Sequence, residues 1–343
     1  MATKTRPHAV IFGCEGPVLS EAEKRLFADV DPLGFILFAR NCADPAQVRT
    51  LVDDLRASVG RDDAPILIDQ EGGRVQRLGP PHWRRRPPQG LFAKMAETDI
   101  EVACEAAKTN AQLIALELKS LGIDVDCLPL LDVPVPGAHD IIGDRAYGYD
   151  PSTVAKLGAA VCDGLIAGGV LPVVKHMPGH GRALVDSHKD LPRVDADAET
   201  LRATDFAPFQ ALSAAPWAMT AHVVYTAFDA DAPATLSQRV IKDVIRGEIG
   251  YQGFLVSDDM NMKALQGDPG KIAADIVAAG CDAALHCNGR LEEMQAMAAD
   301  LPMMTDAALS RFVAGRDSVS APLEVDVAAL QAHFDDLTSD YTA

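Results

Sequence analysis

No stretch of the 343 residues approaches the roughly 18 consecutive apolar positions of a membrane span. Near the start, only Ala9 to Phe12 are apolar before Gly13 intervenes, too short a run for a secretory signal. Cationic side chains are scarce as well: 31 Lys and Arg stand against 49 Asp and Glu, a formal net charge of −18. Such a chain repels phosphate backbones and anionic lipid, so neither nucleic acid nor a membrane is expected as a partner, and the substrate is not expected to be a polyanion. The seven cysteines, at 14, 42, 104, 127, 162, 281 and 287, are odd in number, scattered and without a CxxC pair. They read as small core residues in a reducing compartment, and a cytoplasmic protein is the expectation. No Gly/Ser-rich or Pro-rich linker divides the chain and no internal repeat is found, so residues 1–343 are expected to form one domain.

What is present is a regular alternation. With 48% hydrophobic and 23% charged residues, the composition is that of a folded soluble chain. Short runs rich in β-branched and apolar residues fall at His8–Phe12, Phe35–Phe38, Pro65–Asp69, Asp124–Leu128, Leu171–His176, Ala218–His222, Gly253–Ser257 and Asp282–His286. Most are continuously apolar, as strands buried on both faces should be. Helical periodicity fills the gaps: Val48, Leu51, Val52, Leu55 and Val59 follow Asp44, a predicted N-cap, and similar patterns cover about 98–120, 152–168, 197–213, 238–248 and 271–279. Eight such strands favour an α/β fold of the (β/α)8 barrel type over an open doubly wound sheet. Pro80 to Pro88 reads as a long loop after the third strand, and the acidic stretch from Ser318 as a last helix or frayed tail.

Functional groups of such a barrel gather at the C-terminal strand ends, and here those positions hold Asp69, Lys175, His176, His222, Asp258, Asp259 and His286. A lone Asp after a strand is usually a turn former or helix cap; this many ionisable groups facing one rim indicate an active site. The segment Lys175-His176-Met177-Pro178-Gly179-His180-Gly181 leads into Asp186-Ser187-His188. Pro178, Gly179 and Gly181 rule out a helix there, and in extended chain Asp186 and His188 point the same way. A carboxylate beside an imidazole suits general acid/base work. Asp69-Gln70-Glu71-Gly72-Gly73-Arg74-Val75-Gln76-Arg77 suits a loop gripping a polyhydroxylated ligand, and Ile142 to Gly148 offers Arg145. In Ser257-Asp258-Asp259, strand alternation predicts that only one acid points inward.

Across roughly residues 8 to 300, these segments resemble glycoside hydrolase family 3, in its single-domain bacterial β-N-acetylglucosaminidase branch. The resemblance rests on Lys175 through Pro192 (KHMPGHG, then DSH and a Pro), together with DQEGGRVQR, IGDR, MTAH and SDD in the same order. Met177 stands where Phe is common, and Cys127-Leu128-Pro129 replaces a more usual Phe-Ala-Pro. The resemblance implies retaining hydrolysis through a covalent glycosyl-enzyme, with Asp258 as nucleophile, His188 as acid/base and Asp186 as its partner. This differs from the usual carboxylate pair. Asp69, Arg77, Arg145, Lys175, His176 and His222 would line the N-acetylglucosamine subsite, with no metal or organic cofactor. The implied substrate is a small sugar, an N-acetylglucosamine-bearing muropeptide fragment of cell-wall recycling, and the expected enzyme is a monomer.

Other readings use the same residues. His176, His180, His188 and Asp186 could be imagined around zinc, but Pro178 and Gly179 prevent the first two from sharing a helical face. Lys175 could form a Schiff base, which leaves Asp186 and Asp258 without roles. A sugar-binding protein without turnover, a β-glucosidase, and phosphorolysis in place of hydrolysis stay open. The last is open because a histidine acid/base does not repel phosphate as a carboxylate would.

Overall fold

The computed structural model describes residues 6–137, 141–183, 191–320 and 324–341. Eight parallel strands close into a barrel in chain order: β1 (His8–Gly13), β2 (Pro32–Leu37), β3 (Ile66–Ile68), β4 (Val125–Asp126), β5 (Leu171–Met177), β6 (Trp217–Thr220), β7 (Phe254–Asp259) and β8 (Ala283–His286). All eight runs expected from the sequence are strands, with shifted ends.

Their continuous apolarity has a geometric cause. Ala9 and Ile11 of β1 point into the barrel, where they meet Leu67, Val173 and Val256, while Val10 and Phe12 face the surrounding helices. Helices are started by acids: Asp44, Asp99, Asp150, Asp197, Asp268 and Asp326 each accept backbone N–H groups as N-caps. Six of the 49 acids therefore do structural duty as caps. After Asp44 the helix Pro45–Val59 begins with Pro at its first turn and ends at Gly60 in the left-handed region. The acidic stretch does contain a helix, Val327–Thr338.

One helix without a clear sequence signal, Asp306–Asp317, closes the N-terminal end of the barrel. Its Phe312 ring lies 6.0 Å from Trp217 and 6.1 Å from Phe254, the first residues of β6 and β7. The opposite end stays open. There Gln70–Gly72 and Val75–Gln76 form a small antiparallel hairpin. Its turn needs glycine twice over: Gly72 and Gly73 have φ of 93° and 56°, and a Cβ on Gly72 would lie 2.4 Å from the Pro87 carbonyl oxygen.

Candidate active site

The open end of the barrel holds a cavity of about 270 Å³ bordered by Asp69, Glu71, Arg77, Arg145, Lys175, His176, Asp258 and Asp259, with Phe38, Ile142, Met219 and Leu285 among its apolar walls. That volume is below the roughly 300–1,000 Å³ of sites for drug-sized ligands, so it suits one small unit.

Two local slips of strand register shape the rim. Between Val174 and Met177 the β5–β6 pairing shifts, and both Lys175 and His176 border the cavity. Between Val256 and Asp259 the β7–β8 pairing shifts likewise, and both Asp258 and Asp259 border it. Simple alternation, which would send one acid of the pair away, fails at these positions because an irregular residue re-aims those after it. The two acids nevertheless differ. Asp259 turns its carboxylate back on the neighbouring loops, accepting from the Asn261 and Cys287 N–H groups at 3.1 Å each, and burial pushes it up to about 6. Asp258 accepts only the Asp259 N–H at 2.8 Å among the described contacts, and its other oxygen faces His176 Nε2 at 4.0 Å. Burial opposes its ionisation, but His176 and His222 outweigh burial and hold it below the ordinary carboxylate value. It is an ionised carboxylate aimed at the cavity.

Opposite lies a chain of alternating charges. Arg77 Nη2 reaches Asp69 Oδ2 at 3.0 Å, and Lys175 Nζ bridges Asp69 Oδ1 at 3.0 Å and Glu71 Oε1 at 2.7 Å. Arg145 completes it with a two-pronged pair to Glu71, at 2.8 and 2.9 Å. Burial alone would raise the Asp69 and Glu71 carboxyls and lower Lys175; their mutual attraction wins, leaving both acids depressed and the lysine raised. Both acids are ionised and Lys175 and Arg145 are cationic at neutral pH, in fixed positions, before any ligand arrives. Arg77 also lies 5.1 Å over the Phe38 ring, which stiffens it. Beneath the chain, Asp126 is fully buried and accepts the Gln70 N–H at 2.9 Å; burial raises its carboxyl well above the ordinary value.

The remaining positions singled out in the sequence separate. His222 is fully buried behind the Asp259 loop, with Nδ1 at 2.7 Å from Thr235 Oγ1 and Nε2 at 3.0 Å from the Asp259 carbonyl. It reaches the cavity through the field it places on Asp258. His286 turns outward, because Leu285 and Cys287 on either side of it face in; its ring meets the edge of Phe12 at 5.7 Å. Asp186 and His188 lie outside the described residues. No group of His, Cys, Asp and Glu able to hold a metal ion occurs among the described residues. Glu71 and Asp132 were not singled out from the sequence as functional. Glu71 sits inside the DQEGG segment, two residues after Asp69, and Asp132 is the single acid in the apolar run from Leu128 to Val135.

Comparison with known proteins fits this geometry. The N-terminal domain model of glycosyl hydrolase family 3 matches residues 17–309. The chain belongs to glycosyl hydrolase family 3. It is 38% identical over 283 residues to a beta-hexosaminidase of Alkalilimnicola ehrlichii, covering 81% of this chain and 80% of that protein. A beta-hexosaminidase of Xanthomonas oryzae pv. oryzae is 36% identical over 337 residues, 95% and 98% of the two chains. Among family 3 structures, NagZ from Neisseria gonorrhoeae, in complex with N-trifluoroacetyl-D-glucosamine, has a TM-score of 0.87 at 31% identity, covering 97% of this chain and 99% of that one. A family 3 β-N-acetylglucosaminidase from a Paenibacillus species has a TM-score of 0.83 at 32% identity, covering 96% and 67%.

Proposed function

We propose that this family 3 chain is a retaining exo-β-N-acetylglucosaminidase that removes terminal N-acetylglucosamine from small peptidoglycan-derived fragments. The observation that carries the reading is the pairing of one ionised carboxylate aimed at the cavity, Asp258, with a prearranged wall of charges around a cavity of single-sugar size. Relatives called beta-hexosaminidase and a structural neighbour holding an N-acylated glucosamine analogue support the choice of sugar. Asp69 can accept from ring hydroxyls, while Arg77, Arg145 and Lys175 can donate to them.

In this mechanism Asp258 attacks the anomeric carbon as the bond to the leaving oxygen breaks. His188, oriented by Asp186, gives that oxygen its proton. The neutral imidazole then takes a proton from water, whose oxygen attacks the glycosyl ester and frees Asp258. Two inversions return the sugar in its β form. Proton NMR of the product released from an aryl β-N-acetylglucosaminide, by wild type and by Asp258→Ala, tests the proposal. Initial β-anomer, with a loss of at least about 1,000-fold in the variant, is the expected result. Initial α-anomer overturns the double displacement, and a sugar 1-phosphate formed in phosphate buffer overturns hydrolysis. Near-normal turnover by the variant removes Asp258 as nucleophile.

A further inference from the structure

Asp132 follows β4 and is completely buried. Its hydrogen bonds among the described residues go to the end of β5 and the turn that follows it. Its Oδ2 accepts from His176 Nδ1 at 2.7 Å. Its Oδ1 accepts two backbone N–H groups, from His176 at 3.2 Å and from His180 at 2.6 Å. Burial would raise this carboxyl, but His176 and His180 outweigh burial and hold it down at about 2. One ionised carboxylate therefore grips the imidazole that faces Asp258 and both ends of the turn His176-Met177-Pro178-Gly179-His180.

The grip is reinforced on every side. Gly181 passes so close to the Asp132 strand end that a Cβ would lie 2.0 Å from the Val133 carbonyl oxygen. Tyr225 donates to the Gly179 carbonyl at 2.7 Å, and Arg182 Nε pairs with Asp205 at 2.6 Å. The chain enters the segment that carries Asp186 and His188 immediately after these anchors. The same acid also decides which ring nitrogen of His176 carries hydrogen. With Nδ1–H donated to Asp132, Nε2 is the nitrogen presented to the cavity and to Asp258 at 4.0 Å.

We propose that Asp132 is a positioning residue of the glycosidase: a single buried carboxylate that sets the tautomer of the imidazole facing the nucleophile and pins the turn from His176 to His180 to the same point. The proposal rests on the glycosidase reading for its kinetic part, whereas its structural part can be measured without turnover. Nitrogen NMR of the histidine rings in the wild-type protein is expected to show His176 protonated at Nδ1. An unprotonated Nδ1 overturns the clamp whatever the activity.

The kinetic arm uses Asp132→Asn, which keeps the shape and one acceptor but sets a donor against Nδ1. We expect kcat on an aryl β-N-acetylglucosaminide to fall about 10- to 100-fold while KM changes less than about 3-fold, the signature of misplaced groups and not of a lost ligand contact. In a His176→Ala background the same substitution should add less than about 3-fold, because its effect passes through that ring. Full additivity, a change confined to KM, or an unchanged kcat overturns the proposal. If Asp132→Asn does not fold, Asp132→Glu replaces it: this variant keeps the charge and must retain more kcat than Asp132→Ala. Absence of turnover in the wild type would strike the glycosidase reading and leave the ring-nitrogen result to judge the clamp.

Discussion

Both ends of this barrel bury acids against cations, and the two ends use them differently. At the closed end, an Asp immediately precedes β2, β4 and β8. Asp124 accepts the Ile66 N–H at 2.7 Å and pairs with Arg56, Asp31 pairs with Arg61, and Asp282 accepts the Leu255 N–H at 2.9 Å while holding Arg246 and Arg311 at 3.0 and 2.7 Å. Asp124 and Asp282 each tie one strand start to its neighbour, Asp31 holds an arginine of the loop before β3, and Arg311 also fastens the helix that plugs the barrel. At the open end, Asp69, Glu71 and Asp258 border a cavity, and the chain of charges leaves a face uncovered. The same chemistry serves closure at one end and lines a cavity at the other, where the proposed function uses it for recognition. The difference lies in whether backbone N–H groups and a plug occupy the remaining valences.

The comparison breaks most visibly at Asp282. Replacing it with Ala leaves the largely buried Arg246 and its neighbour Arg311 facing each other without an anion, and strips the Leu255 N–H of its acceptor. Removing one partner of such a buried pair typically costs about 3–5 kcal/mol. A urea titration of Asp282→Ala should show a loss of that size, while kcat on an aryl glycoside stays within about 2-fold for whatever fraction is folded. A stable variant with impaired turnover would erase the distinction between the ends.

His286 sharpens it. This residue ends a strand at the open end but faces away from the cavity, so by the same logic it is structural. Burial pushes its ring down to about 4, with Glu293 opposing. A histidine depressed in the folded state is neutral there while the unfolded chain takes up a proton. Its contribution is therefore complete above about pH 6.5 and is lost as pH falls toward 4. The shift corresponds to about 3 kcal/mol. Acids whose carboxyls burial raises, Asp126 and Asp259 among them, push total stability the other way, so the quantity to measure is a difference. Between pH 6.5 and 4, wild type should lose about 3 kcal/mol relative to His286→Phe, with turnover at neutral pH unchanged. Parallel pH curves would remove the histidine from the stability of the fold.

The sequence displays one half of this comparison better than the other. Strands such as β1 are legible because both faces are buried, so the whole run is apolar, and Asp69, Lys175 and Asp258 are legible because they end such runs. The closed end is opaque. Asp282 opens an apolar run that reads as a strand start, but its cations lie 36 and 29 positions away, and no local pattern announces them. The plug helix Asp306–Asp317 is equally hard to see, since it packs on the barrel floor through Ala308, Phe312 and Gly315, with a single large apolar residue among them. Alternation identifies the inward residues only where the register is regular. It accounts for the outward turn of His286 once the inward Leu285 is known, and fails at Asp258 and Asp259, where β7 slips against β8. Asp132 escaped for another reason: its partner His176 is on the next strand, joined by a hydrogen bond that spacing does not encode.

The smallest stability effect is expected where the rim is most heavily charged. Lys175 is buried between Asp69 and Glu71, so on a count of ion pairs alone its removal would resemble the Asp282 case. It differs because each carboxylate keeps a second cation: Arg77 remains on Asp69 and Arg145 on Glu71. Lys175→Met also leaves an apolar chain of similar length in the space. Unfolding should therefore shift by no more than about 1–2 kcal/mol, whereas kcat/KM for a β-N-acetylglucosaminide should fall about 100-fold, because the bridging donor that aligns both acids toward the sugar is gone. Calorimetry beside steady-state kinetics separates the two effects. A loss of stability as large as that of Asp282→Ala would mean that the open end, too, is held together by its charges, and the division between closure and recognition would fall at this residue.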